Sequence, residues 1–395
     1  QTIDQAAHEL GIDPLEIARL NAAEPGYVSP HGNRVTSCEL KQCIDKVEKM
    51  MDWEKKRAEK KPNRGLGIAC TVHVSGKRHF GDYDGGSATI KINEDGKALI
   101  ISGEGEVGQG AGTAMCQIAA EELGIPLEDV EISQADTDLT TFCLGAFGSR
   151  VTYIGGNAVR DAAGKAKQQL FETAAEMLEA SPDDLVSRDG SIFVKGTEAK
   201  SVTVGDVARA RLFRRGGSPI VASGSFDADS VLQDSTRYGN ESGAYNFGCQ
   251  AAEVEVDRET GQITVLKYVA VSDCGTVINP IAAEGQVEGS VAQGLGYALI
   301  EGLKMEDGRP VNPNFSDYRI PSMRDMPPLE HTFADSYEPT GPFGAKGLGE
   351  LGMDPTAAVI SNAIFDAEGI RIKTLPITPE KVLSALREKG KDEKE

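Results

Sequence analysis

Apolar residues recur at helical spacing over Thr2–Leu10 and the pattern stops at Gly11, which predicts a first helix closed by glycine. Pro14, following Gly11-Ile12-Asp13, marks the start of a second. Residues 40–58 are charged and amphipathic, and read as helix. The run 60–64 is basic and contains proline, so it reads as a linker, and a new unit is expected from Gly65.

Beyond that point the period changes. Residues 66–74, 87–93, 97–102 and 130–134 read as strands. An alanine-rich helix is expected over 112–123, ended by Gly124, and a long one over 155–180, ended by Ser181-Pro182. Asp189-Gly190 predicts a hairpin turn between 185–187 and 192–194. Residues 251–257 alternate, turn at Glu259-Thr260-Gly261 and return over 263–272. Helices follow over 282–300, 356–368 and 379–388, with a charged, frayed tail after Lys389. The expected fold class is α+β: a helical segment over 1–64 that ends a preceding domain, then two mixed α+β subdomains over 65–205 and 206–395.

Composition narrows the class. A chain of 395 residues exceeds one hydrophobic core. Its 39% apolar and 26% charged residues are those of a soluble globular protein. The 45 glycines cluster in short loops, the composition of backbone that approaches a ligand closely. A net charge of −20 argues against nucleic acid and anionic membrane as partners. No apolar run is long enough to span a bilayer, and no basic region leads into an apolar one as in a secretory signal. Because the chain opens with Gln1 inside a helical pattern, an upstream piece is expected. Seven cysteines, odd in number and widely spaced, fit a reducing cytoplasm rather than a disulfide framework. Cys38 and Cys43 match the first half of a plant-type iron–sulfur spacing, but no C-x-x-C follows.

Residues 103–110 read GEGEVGQG, which places Gly103, Gly105 and Gly108 in a literal G-x-G-x-x-G between a strand and a helix. Three readings stand: a nicotinamide dinucleotide site, a tight turn with no ligand, or a loop for another phosphate-bearing ligand. Asp136 ends the next strand, but lies farther from Gly108 than the usual spacing of about 20 residues. Further glycine loops occur at 145–157, 273–296 and 341–350, and several loops around one large polar ligand is not how a nicotinamide site is built.

Six motifs then carry a resemblance. EVGQGAGT at 106–113, GSRVT at 148–152, AAEVEVD at 251–257, GQVEGSVAQGLG at 285–296, DYRIP at 317–321 and GAKGLGE at 344–350 occur in order. Together they resemble the molybdenum cofactor subunit of the xanthine dehydrogenase/aldehyde oxidase family, along nearly the whole chain. The GPFGAK loop and the SRVT segment point within it to the 4-hydroxybenzoyl-CoA reductase-like branch. The family's subunit is normally about twice this length, so the resemblance implies its C-terminal half, as a split subunit or a fragment.

The roles that follow are those the resemblance implies. Glu350 matches the general base of a hydroxylation and Gln109 the glutamine that reaches the reactive centre. Gly108, Gly110 and Thr113 would line the pterin, and Gly148, Ser149, Arg150, Val151 and Thr152 would hold pterin and phosphates. The Arg150 side chain has two open alternatives, phosphate or one of the chain's many acids. Gln286 matches a pterin contact; Lys346 either stabilises charge at the site or anchors its loop; Phe147 and Phe343 either line a substrate pocket or belong to the core. The metal would have no side-chain ligand, being held by the pterin dithiolene. The implied cofactor is molybdenum–molybdopterin in the cytosine dinucleotide form. Implied partners are a chain supplying the N-terminal half, a subunit with 2Fe-2S clusters, an FAD subunit and a small-molecule substrate. The rival readings are an NAD-dependent dehydrogenase built on Gly103 to Gly108, and a non-catalytic scaffold paralogue.

Overall fold

The computed structural model describes residues 1–78, 81, 83–133 and 135–392. The chain opens with helices α1 (Thr2–Leu10), α2 (Pro14–Leu20), α3 (Leu40–Met51) and α4 (Trp53–Ala58). Gly11 closes α1 at φ 66, and the Asp13 carboxylate caps α2 by accepting from Leu15 N. The amphipathic stretch 40–58 breaks in two at Asp52, which adopts φ 55.

There follow β1 (Arg64–Val74), β2 (Gly85–Ile92), β3 (Ala98–Ser102), α5 (Ala111–Leu123) and β4 (Val130–Ile132). Of the strand expected over 130–134, Gln134 lies outside the described residues. A π turn at Val151–Gly155 leads into α6 (Gly156–Leu178). Next come the hairpin β5 (Leu185–Arg188) and β6 (Ser191–Val194), then β7 (Thr197–Thr203), α7 (Val204–Phe213) and β8 (Ile220–Asp227). The chain continues with β9 (Tyr245–Val256), β10 (Ile263–Asp273), α8 (Pro280–Leu299) and a ribbon of β11 (Met305–Glu306) and β12 (Arg309–Pro310). It ends with β13 (Leu329–Phe333), α9 (Thr356–Glu368) and α10 (Pro379–Asp392). The fold is α+β, and among the described residues no helix is long and apolar enough to cross a membrane.

Two four-stranded sheets organise these elements. In the order β4-β3-β2-β8 only β3 and β4 run parallel, so this is no doubly wound sheet. Its apolar face meets α5, α6 and α7 in one core. The second sheet, β1-β9-β10-β13, recruits β1 from 171 residues upstream of its partner end: Val74 pairs with Tyr245 and Arg64 with Glu255. This sheet is covered on both faces, by α3 on one and by α8 and α9 on the other. Along β9, Tyr245, Phe247, Cys249 and Ala251 enter the first core while Ala252, Val254 and Val256 enter the second. A bulge between Val265 and Lys267 reverses that parity in β10. Gly67 lets α9 lie directly on β1: a Cβ there would meet Val359 O at 2.1 Å.

Candidate functional site

A cavity of about 590 Å³ opens between the two sheets' helices. Three helices begin on its wall: α5 at Gly110 and Ala111, the α6 helix at Val151 and Thr152, and α8 after Asn279. Each brings the positive end of its dipole to the wall, which favours a negatively charged ligand, and they differ in how far their head amides are already taken. Asn279 caps its own helix through Ala282 N at 3.0 Å, whereas no side chain caps the turn beginning at Val151. A second hollow, about 320 Å³, is walled by residues between Asp52 and Leu66 with Glu253 and Asp366, and holds none of the candidate residues.

The glycine loop cannot cradle a dinucleotide phosphate in the usual way. Glu106 already occupies the anion position at the head of α5, accepting from Gly108 N at 2.8 Å, Gly110 N at 3.0 Å and Gly112 N at 3.0 Å. Desolvation pushes its carboxyl up, but the amides of Gly112, Gly110, Gly108 and Ala111 together more than offset this and hold it below the usual range. Gln109 braces the same loop: its Oε1 accepts from Val107 N at 2.6 Å and its Nε2 donates to Gly105 O at 2.8 Å.

Glu350 reaches the cavity from the loop before α9, with its side chain 43% exposed. Ser149, held at φ 52, donates from Oγ to Glu350 Oε2 at 2.9 Å and accepts from Glu350 N at 3.1 Å. His73 Nε2 lies 3.7 Å from the same Oε2. Partial desolvation pushes the nearby Asp354 carboxyl up, against the pull of His73 and with Glu350 adding to the rise. The two site loops meet backbone to backbone at Gly347, where a Cβ would lie 2.1 Å from Ser149 O. Gly347→Ala is therefore expected to cost about 1–3 kcal/mol, as overpacking does, read as a loss in chemical denaturation. No change in stability would mean the contact is loose.

Two cationic side chains of the candidate set turn away from the cavity. Lys346 Nζ donates to Asp273 at 2.9 Å, both side chains being 0% exposed, and lies 5.5 Å over the Phe247 ring. Of its two alternatives it anchors the loop. The Arg150 guanidinium, also 0% exposed, takes the acids: Nε meets Asp84 Oδ1 at 3.2 Å, Nη1 meets Glu104 Oε1 at 3.4 Å, and Nη2 donates to Gly85 O at 2.6 Å. Burial pushes both carboxyls up, with Arg150 opposing. Arg150 thus ties the strand β2 and the glycine loop to the 148–152 segment, its guanidinium fully buried though the residue lines the cavity.

Gln109, Gly110, Ser149, Val151, Thr152, Gln286 and Glu350 all line the cavity, as do Arg150 and Lys346, whose charged ends are buried against acids. Gly108, Thr113, Gly148, Phe147 and Phe343 do not line it; Phe343 packs against the core shared by the β4-β3-β2-β8 sheet and α5 to α7, beneath Arg160, 4.6 Å away. Sequence reasoning passed over Thr276, Asn279, Ala282 and Gln293 on the same wall. Asn279-Pro280 is an N-cap signal that would have found the first of these helix positions.

The family model for the molybdopterin cofactor-binding domain matches residues 46–327. The chain belongs to that family. It is 38% identical over 392 residues to a putative xanthine dehydrogenase molybdenum-binding subunit of Escherichia coli (strain K12), covering 96% of this chain and 50% of the relative. It is 32% identical to the nicotine 6-hydroxylase large subunit of Paenarthrobacter nicotinovorans, covering 98% and 49%. Among solved structures, quinoline 2-oxidoreductase from Pseudomonas putida 86 superposes with a TM-score of 0.88 at 31% identity, over 98% of this chain and 51% of that one. The chain spans about half the length of these relatives.

The cavity fits a molybdopterin in its donor chemistry. The uncapped helix start at Val151 and the amide side chains of Gln109 and Gln286 offer donors to an anionic, heteroatom-rich group. No cluster of His, Cys, Asp and Glu suited to a metal ion occurs among the described residues.

Proposed function

We infer that this chain is the C-terminal half of the catalytic subunit of a molybdenum hydroxylase, hydroxylating or reductively dehydroxylating an aromatic, N-heterocyclic or aldehyde substrate. The observation that carries this reading is the single cavity on which three helix N-termini and the Glu350 carboxylate converge. When bound, the molybdenum–molybdopterin cofactor, in a cytosine dinucleotide form, supplies the redox centre of the hydroxylation. Val151 and Thr152 would hold its anionic groups by their amides, and Gln109, now bonded to Val107 N and Gly105 O, would stand beside it on the cavity wall. Glu350 acts as general base toward the cavity, its carboxylate fixed by Ser149. The relatives named for nicotine and quinoline favour an N-heterocyclic substrate over the alternatives.

The rest of the subunit comes from a second chain or segment, with iron–sulfur and FAD subunits taking the electrons. Exposed apolar side chains support a covering partner: Ile281 beside the cavity is 83% exposed, and Leu303, Phe315 and Met323 are 60%, 78% and 89% exposed. The test is molybdenum and pterin content of the complex purified with its partner chains. Both are expected at stoichiometric levels. An intact complex lacking both overturns the reading, and nicotinamide titration then decides whether the 103–108 loop binds a dinucleotide instead.

A further inference from the structure

Helix α8 contains four glycines, and contacts within the chain explain two of them. A Cβ on Gly294 would meet Thr356 Oγ1 at 2.4 Å, and one on Gly296 would meet Glu301 Oε1 at 2.1 Å and Pro321 Cδ at 2.7 Å. On Gly285 and Gly289 a Cβ would meet nothing within 4 Å among the described residues. Both are exposed, one turn apart, inside the helix. A glycine there costs about four- to fivefold in the folding equilibrium relative to alanine, and nothing in the chain gains from it.

The face that carries these two glycines is otherwise apolar and acidic. Ile281, one turn before Gly285, is exposed, and so are Glu284 and Glu288. The opposite side of the helix buries Val287, Val291 and Leu295 in the core under α9. Ala282 and Gln286 line the cavity, whereas Gly285 and Gly289 do not, so a cofactor in the cavity is not what the gap admits. The exposed apolar surface continues past the helix. Pro321 lies against Gly296, and Phe315, Ile320 and Met323 around it in sequence are exposed.

We propose that this face of α8 seats the polypeptide that supplies the other half of the relatives' length. This rests on the reading of the chain as half of a catalytic subunit, since it spans about half of the relatives it matches. The occupant is an apolar segment whose backbone closes on α8 over Gly285 and Gly289, with cations or N–H donors opposite Glu284 and Glu288. A second copy of this chain does not suit the face. Twofold pairing would set Glu284 and Glu288 against their counterparts, α8 has no Lys, Arg or His to offset them, and each chain carries a net charge of −20. A segment seated there also extends the cavity wall at Ala282 and Gln286.

The seat is read in the complex purified with its partner chains, carrying Ile281→p-benzoylphenylalanine and irradiated, with the crosslinked peptides sequenced by mass spectrometry. The expected crosslink is to a peptide that aligns with the half of the relatives not spanned by this chain. Crosslinks confined to a second copy, or to an iron–sulfur or flavin subunit, overturn the proposal, as does none at all.

Gly289→Leu supplies a second readout. When differently tagged wild-type and variant chains compete for the partner chains, the variant is expected about tenfold under-represented in the complex, as overpacking of a close contact predicts. The full variant chain should nonetheless be three- to fivefold more stable in chemical denaturation, because leucine favours helix over glycine. Equal incorporation overturns the seat. So does a destabilised variant chain, since its new side chain would then be meeting this chain and not a partner. If the crosslink forms in a complex without molybdenum and pterin, the seat stands and the hydroxylase reading fails. If a molybdenum-loaded complex gives no such crosslink, the reading stands and the seat fails.

Discussion

Replacing Glu350 with glutamine is expected to lower kcat of the assembled enzyme by about 10²–10⁴-fold, the contribution of a positioned general base. Glutamine keeps the size of the side chain and can still accept from the Ser149 hydroxyl, so the loop bonded at 2.9 and 3.1 Å keeps its shape. What is lost is the negative charge and the ability to take a proton. Because the side chain is 43% exposed and buries no ion pair, the fold and the molybdenum and pterin content should stay at wild-type levels. Steady-state kinetics together with metal analysis separate the two effects. Retained turnover would remove Glu350 from the mechanism; lost cofactor would make it a binding residue instead.

The parts of this molecule legible in sequence are those fixed by local chemistry. Gly11 at φ 66 and Gly124 at φ 71 end their helices where the periodicity stops, and Asp189 and Gly190 turn the hairpin at φ 49 and 74. The missed elements lack such local signals. β7 is exposed at nearly every position, and β8 alternates between small residues, so neither reads as an apolar strand. The first half of β9 is buried on both faces and so does not alternate, which is why its visible start fell at Ala251.

The site divides along the same line. Ordered glycine motifs name the loops that meet, and Glu350, Gln109 and Ser149 stand where those loops converge. The direction of a long cation is another matter, since it depends on acids brought by distant strands. Lys346 finds Asp273 at the end of β10, and Arg150 finds Asp84 just before β2 and Glu104 just after β3. His73, a lone histidine in a strand, carries no pattern at all until β1 crosses to β9.

Arg150→Met is expected to destabilise the chain by about 3–5 kcal/mol at neutral pH, the cost of stranding a buried ion pair's partner. The guanidinium is 0% exposed and opposes two carboxylates that are 1% and 2% exposed. Among the described residues Asp84 Oδ2 and Glu104 Oε2 have no hydrogen-bond partner; Arg78 draws on Asp84 and the Cys143 thiol on Glu104, each less than Arg150 does. The loss should depend on pH with a definite sign. Burial already raises both carboxyls above their ordinary values of 3.8 and 4.5, and removing Arg150, the opposing charge, raises them further. The folded variant then binds more protons than the unfolded chain in the window above those values, so its stability falls as pH rises through the window and recovers on acidification. Chemical denaturation at neutral and mildly acidic pH should therefore show the deficit narrowing toward acid. Adding Asp84→Asn and Glu104→Gln to Arg150→Met should restore most of the stability at neutral pH, because neutral amides no longer need the cation. A deficit below about 1 kcal/mol, the scale of a surface pair, or one that ignores pH would show that the cluster is hydrated and that Arg150 does not lock the cofactor loops together.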